Sequence, residues 1–192
     1  MKKILLGSSV GAIIMFVWSF VAWVLLPIHH HTFQYTPAQD TILKSITDNI
    51  PQSGTYMLPM LDNANAGFYD KAYKDAMEKN MKEREGKPMA TIVYIKNGIG
   101  HEPIVFIRGF LYELLSVFCM VLVLAASAKS ITTFTSRLWI VMLVAVIISS
   151  QGPLMGMNFM GQSWDYTKSF IVDAVIGWGL CGIWLAWLFG RK

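Results

Sequence analysis

Charge is what this sequence has least of. Only 15% of its 192 residues are Asp, Glu, Lys or Arg, whereas 54% are hydrophobic; a typical water-soluble chain carries roughly a quarter charged residues. The apolar residues gather in long uninterrupted runs rather than at helix or strand period, which argues against an ordinary soluble fold and marks membrane-spanning segments. Cysteine is scarce too. Cys119 and Cys181 both fall inside apolar runs, so no disulfide is expected to staple a segment outside the membrane, and no Cys-x-x-Cys pair offers a thiol redox or zinc site. The chain also lacks a Walker loop, a dinucleotide glycine fingerprint, a Gly-x-Ser-x-Gly elbow and a His-Glu-x-x-His helix, which removes the enzyme classes those motifs serve. No nucleophile–base pairing can be read along it, so a non-enzymatic role is expected before a catalytic one.

The formal net charge of +4 is explained by where the cations sit. Lys2, Lys3, Lys129, Arg137, Arg191 and Lys192 flank apolar runs with no acidic neighbour, whereas between His29 and Ile107 eight basic residues meet nine acidic ones. The excess is a topology signal and not a nucleic-acid footprint.

Four apolar runs are present. Ile4 to Leu26 holds no charge and at about 1.5 Å per residue crosses a hydrocarbon core of about 30 Å with some tilt. Lys2-Lys3 before it resembles a signal-peptide start, but the run is long and no small-x-small cleavage site precedes Pro27, so an uncleaved signal anchor is expected. The second run covers about Gly109–Ala128 and begins as early as Ile104. The third starts after Arg137; its clean part, Leu138–Ile148, is too short and must continue through Gly152-Pro153 toward Phe159. The fourth, Phe170–Phe189, contains one charge, Asp173. With Lys2 and Lys3 in the cytoplasm, all six flanking cations obey the positive-inside rule. Trp23 and Trp164 then fall near the outer interface, and Trp139 and Trp187 near the inner one.

The chain therefore divides into a first spanning helix (1–27), an extracytoplasmic domain (28–107) and three further spans (108–192). The expected fold is a four-helix transmembrane bundle with a small α+β domain between helices 1 and 2. In that domain Thr36-Pro37 should open a helix ending near Asn49, residues 51–65 read as extended and turn-rich, and a second helix is expected over about 67–85, stopped by Gly86 and Pro88. Thr91–Lys96 reads as a strand, with Asn97-Gly98 as a turn and Pro103–Ile107 as its returning partner. A core this small is thin and should lean on the membrane or a partner.

The residues that bear chemistry lie at the membrane boundary. Glu113 and Asp173 each enter a helix from the outer side and should sit about 6–8 Å below that interface; ionisable groups there mark a pathway, a cavity or an ion pair. Arg108 offers a cation to one of them across helices. His29, His30 and His31 follow the first span, and Met155, Met157 and Met160 end the third; imidazoles with thioethers suit copper. Gly152-Pro153 breaks the third helix. Gly7 and Gly11, and Gly177 and Gly182 around Cys181, give the first and fourth helices small-residue faces for close packing.

The pattern Trp18-x4-Trp23-x3-Pro27-x-His29, with Ile171-Val172-Asp173 followed by Gly182 and Trp184, resembles uncharacterised small four-helix proteins of bacterial inner membranes. The resemblance implies that membrane and no particular activity. Two roles are expected: an accessory or scaffold subunit of an envelope complex, embedded in the lipid bilayer and presenting its domain to a protein partner or to a second copy; or a small transport or copper-handling protein using Glu113, Asp173 and the His/Met cluster.

Overall fold

The computed structural model describes residues 1–61, 70–100 and 102–191. It divides into two compact units, one comprising 1–36 with 100–192 and the other 37–99.

The first unit is built from four helices long and apolar enough to cross a membrane. Helix α1 (Lys2–Phe20) continues through a π-helical turn, Val21–Leu25, closed by the Leu26 N–H on the Val21 carbonyl at 3.0 Å. Pro27, which cannot donate to the helix, then opens a short 3-10 turn, Pro27–His29. Numbering the helices and strands of both units in chain order, the remaining long helices are α4 (Pro103–Ala126), α5 (Phe134–Ser149) and α7 (Trp164–Gly190).

Between α5 and the short α6 (Met155–Met160) the backbone does not break at Gly152-Pro153. A π turn, Ser150–Leu154, absorbs the proline, so the helical span runs from Phe134 to Met160. The wider turn accommodates the residue whose ring would clash in a regular α-helix. Gly161, at φ +70°, ends the run in the left-handed conformation that glycine adopts without cost.

Helices α5 and α7 start at side-chain caps. Thr133 accepts from the Ser136 N–H and opens α5 before Arg137, and Ser163 accepts from Tyr166 and opens α7 before the apolar run begins.

Helix α1 packs on α4 and α7, and α7 packs on α5, giving the contact order α4–α1–α7–α5. Lipid is as apolar as leucine, so close approach rather than hydrophobic exclusion must hold such helices together. Glycine provides it. A Cβ on Gly11 would lie 2.6 Å from Val117 Cγ1 and 3.1 Å from Cys181 Sγ, one on Gly177 2.8 Å from Trp18 Cδ1, and one on Gly182 3.0 Å from Leu138 Cδ1. Gly7 faces Val121 and Leu188. Around these contacts lie Met15, Val117, Val121, Val141, Trp178 and Leu185, all buried, while Leu5, Val17, Leu122, Leu143 and Ile183 point outward.

The second unit contains α2 (Gln39–Asn49), β1 (Gly54–Leu58), α3 (Lys71–Arg84) and β2 (Ala90–Tyr94). Helix α2 starts after Ala38, later than Thr36-Pro37 indicates. Helix α3 opens on Asp70, which accepts from the Ala72 N–H, and Gly86 follows it at φ +72°; the expected beginning of this helix, 67–69, lies outside the described residues.

The strand pairing differs from expectation. Ala90–Tyr94 pairs antiparallel with Gly54–Leu58, Tyr56 opposite Ile92, and not with Pro103–Ile107. The turn at Gly98 is present, but Pro103 sits in the first turn of α4, where its fixed φ and missing N–H fit a helix start, and the apolar run beyond it continues the helix. Among the described residues of the unit, none of α2 or α3 is buried, and Tyr94 is the one buried apolar side chain.

Candidate functional site

At the end of the first unit where α1 finishes and α7 begins, the chain gathers its polar side chains. Asp173 Oδ1 accepts from the Trp18 indole N–H at 2.6 Å, and the same indole reaches the Asp173 carbonyl at 3.1 Å. His29, brought over α7 by the turn after Pro27, places Nε2 3.4 Å from Asp173 Oδ2. That distance is ion-pair reach without hydrogen-bond alignment, since Nε2 finds no hydrogen-bond partner.

The imidazole is held on every other side. Its Nδ1 lies 3.2 Å from Thr32 Oγ1, its ring stacks on Trp23 at 3.8 Å with 6° between planes, and Phe170 meets it edge-on at 5.5 Å. Ser169 ties the same turn to α7 by donating to the Ile28 carbonyl at 2.9 Å. Glu113 on α4 is half-buried and lies within electrostatic range of Asp173, with Ser19 of α1 beside it.

The structure thus joins residues that the sequence places in separate groups. Asp173 lies within electrostatic range of Glu113, and the side chain at ion-pair distance from Asp173 is His29, not Arg108. Arg108 is exposed and directs Nε to the Ile104 carbonyl of its own helix at 3.4 Å. Among the described residues no carboxylate lies within ion-pair distance of it.

The histidine triplet divides in the same way: His29 is buried, while His30 and His31 are exposed, ring against ring at 5.4 Å. Met155 and Met160 are exposed and Met157 is half-buried on α6. Among the described residues no three His, Cys, Asp or Glu side chains gather where they could hold a metal ion. Trp18, which opens the Trp18-x4-Trp23-x3-Pro27-x-His29 pattern, donates to the carboxylate, and Ser19, Thr32 and Ser169, which no sequence motif announces, complete the cluster.

The 37–99 unit carries a different feature. Between β1, α3 and the segment entering β2 runs a groove of about 720 Å³ lined by Met57, Met60, Tyr73, Met77, Met81 and Met89. Met60, Met77, Met81 and Met89 are all exposed. Lys82, Arg84, Glu85 and Lys87 are among its described lining residues, with Lys82 paired to Glu78 at 2.7 Å. Flexible, polarisable thioethers adapt to varied apolar shapes and recur at surfaces that bind other proteins.

No family model matches the chain, and no match to it was found among curated proteins or solved structures.

Proposed function

We propose that the protein is a non-enzymatic accessory subunit of a bacterial inner-membrane complex, presenting residues 28–107 outside the cytoplasm and seating an apolar segment of a protein partner in the methionine-lined groove. The observation that carries the reading is the groove itself. A unit whose helices bury none of their described residues leaves a methionine surface that gains most by covering, and exposed apolar patches of this kind mark interaction sites. Arg84 and Lys87, which outnumber Glu85 among the lining residues, favour a partner segment with acidic residues beside its apolar stretch. Orientation rests on Lys2, Lys3, Lys129, Arg137 and Arg191 at one set of helix ends, with Lys192, outside the described residues, completing the set; both chain ends are then cytoplasmic.

Purification from native membranes tests this. A partner should co-isolate in fixed ratio, and Met81→Lys, which places a charge on an exposed groove position, should release it. A protein that is stable and solitary in native membranes contradicts the reading.

A second reading is favoured by one specific observation: inside the helical unit Asp173 has an imidazole, His29, at 3.4 Å and a second carboxylate, Glu113, within electrostatic range. Such sets handle protons or ions in small transport proteins.

A further inference from the structure

At the opposite end of the helical unit from the His29 cluster, three cations converge on the last turn of α7. Lys3 of α1 donates from Nζ to the Arg191 carbonyl. Arg137 of α5 brings Nη1 to 3.2 Å from where a Cβ on Gly190 would stand. Arg191 itself lies with its guanidinium 3.9 Å above the Trp187 ring. Lys3 and Arg137 come from two different helices and Arg191 caps a third, so the convergence is a product of the fold.

The half-unit of negative partial charge at a helix C-terminus attracts cations but does not neutralise three of them. Among the described residues no carboxylate lies within ion-pair distance of Lys3, Arg137 or Arg191. Arg137 is the decisive member. Only 8% of it is exposed, and among the described residues its guanidinium has neither a hydrogen bond nor an ion pair. A covered cation is costly unless an anion meets it. The nitrogens keep some access to the surface, because none of them is a sealed, partnerless polar atom. Trp139 and Trp187, both exposed, stand within a turn of Arg137 and Arg191, and indole rings of this kind settle at headgroup depth.

We propose that Arg137, Lys3 and Arg191 form a binding site for the phosphate of an anionic phospholipid headgroup. A guanidinium fork matches two phosphate oxygens, the ammonium of Lys3 neutralises the remaining charge, and the acyl chains lie along the apolar outer faces of α1, α5 and α7. The site is independent of the methionine groove and of any partner there.

The test is native mass spectrometry of the full chain released from nanodiscs of defined composition. The wild-type protein should retain phosphatidylglycerol in preference to phosphatidylcholine. Arg191→Gln, an exposed change that leaves the helices packed, should cut that preference about fivefold, as expected for one cation at an anionic membrane surface. Arg137→Gln should cut it at least as far. Lys129→Gln, in the loop before α5, should leave it unchanged. Sodium phosphate without lipid should not displace the retained phosphatidylglycerol; displacement at millimolar phosphate would assign the site to a free anion and overturn the lipid. Equal retention of the two lipids, or an equal loss with Lys129→Gln, would reduce the site to general surface charge and overturn the proposal. Should Arg137→Gln fail to fold, the Arg191→Gln and Lys129→Gln pair decides.

Discussion

His29, in the turn that leaves α1, places Nε2 3.4 Å from Oδ2 of Asp173 in α7, while Trp18 holds the other carboxylate oxygen at 2.6 Å. One carboxylate therefore fastens both the last turns of α1 and the segment that follows it to α7. Within the apolar helical unit the indole hydrogen bond to Oδ1 offsets part of the cost of holding the carboxylate there.

The Trp18 N–H is the stronger of the two attachments, and the variants should separate in that order. Trp18→Phe keeps most of the ring but leaves Oδ1 without its donor, which should cost about 1–3 kcal/mol. Asp173→Asn keeps an oxygen that accepts from the indole and should cost less. Unfolding midpoints in a fixed lipid–detergent mixture rank the two, and the reverse order would show that the contact with His29 dominates.

Close packing by glycine gives a second expectation. Gly11→Ala pushes a methyl to 2.6 Å from Val117 Cγ1, whereas Gly179→Ala meets only Met142 Sδ at 3.9 Å. Overpacking of the first kind costs about 1–3 kcal/mol. The second should be neutral or stabilising, since alanine is favoured over glycine within a helix by about 1 kcal/mol. The same unfolding measurement applies, with equal effects from the two variants as the contrary result.

The spans were legible in the sequence because a charge-free apolar run has few alternatives, as in Ile4–Leu26. Their ends were not. The start of α7 is polar, from Trp164 to Lys168, and only the Ser163 cap reveals it. The proline at 153 signals a break in any local reading, and only the surrounding helix shows it taken up as a π turn. The strand pairing is hidden for a related reason: Gly54 and Pro59 punctuate a five-residue strand until it reads as a turn, and its partner is remote while a false one lies just past Gly98. In the site, Asp173 and Glu113 were visible as charges in apolar runs. Their connection to His29 and Trp18 was not, because it depends on helix packing between positions as far as 155 residues apart.

Glu113→Gln and Asp173→Asn distinguish the two functional readings. An accessory subunit needs these carboxylates for helix packing, so the double variant, once shown to be folded in the membrane, should retain its partner at wild-type ratio. Proton or ion movement by the cluster would require at least one of them. Loss of the cellular phenotype with partner binding intact would favour transport.

The central claim is that the methionine groove of residues 37–99 receives a partner segment. Photo-crosslinking from within native membranes addresses it most directly, with a photoreactive residue placed at Met77 or Met81 in the groove and, for comparison, at Lys44 on the exposed face of α2. The groove positions should each give one discrete adduct to the same protein, mapped to an apolar stretch with acidic neighbours, and Lys44 should give none. Adducts of equal yield and composition from all three positions, or adducts to lipid alone from the groove, would contradict it.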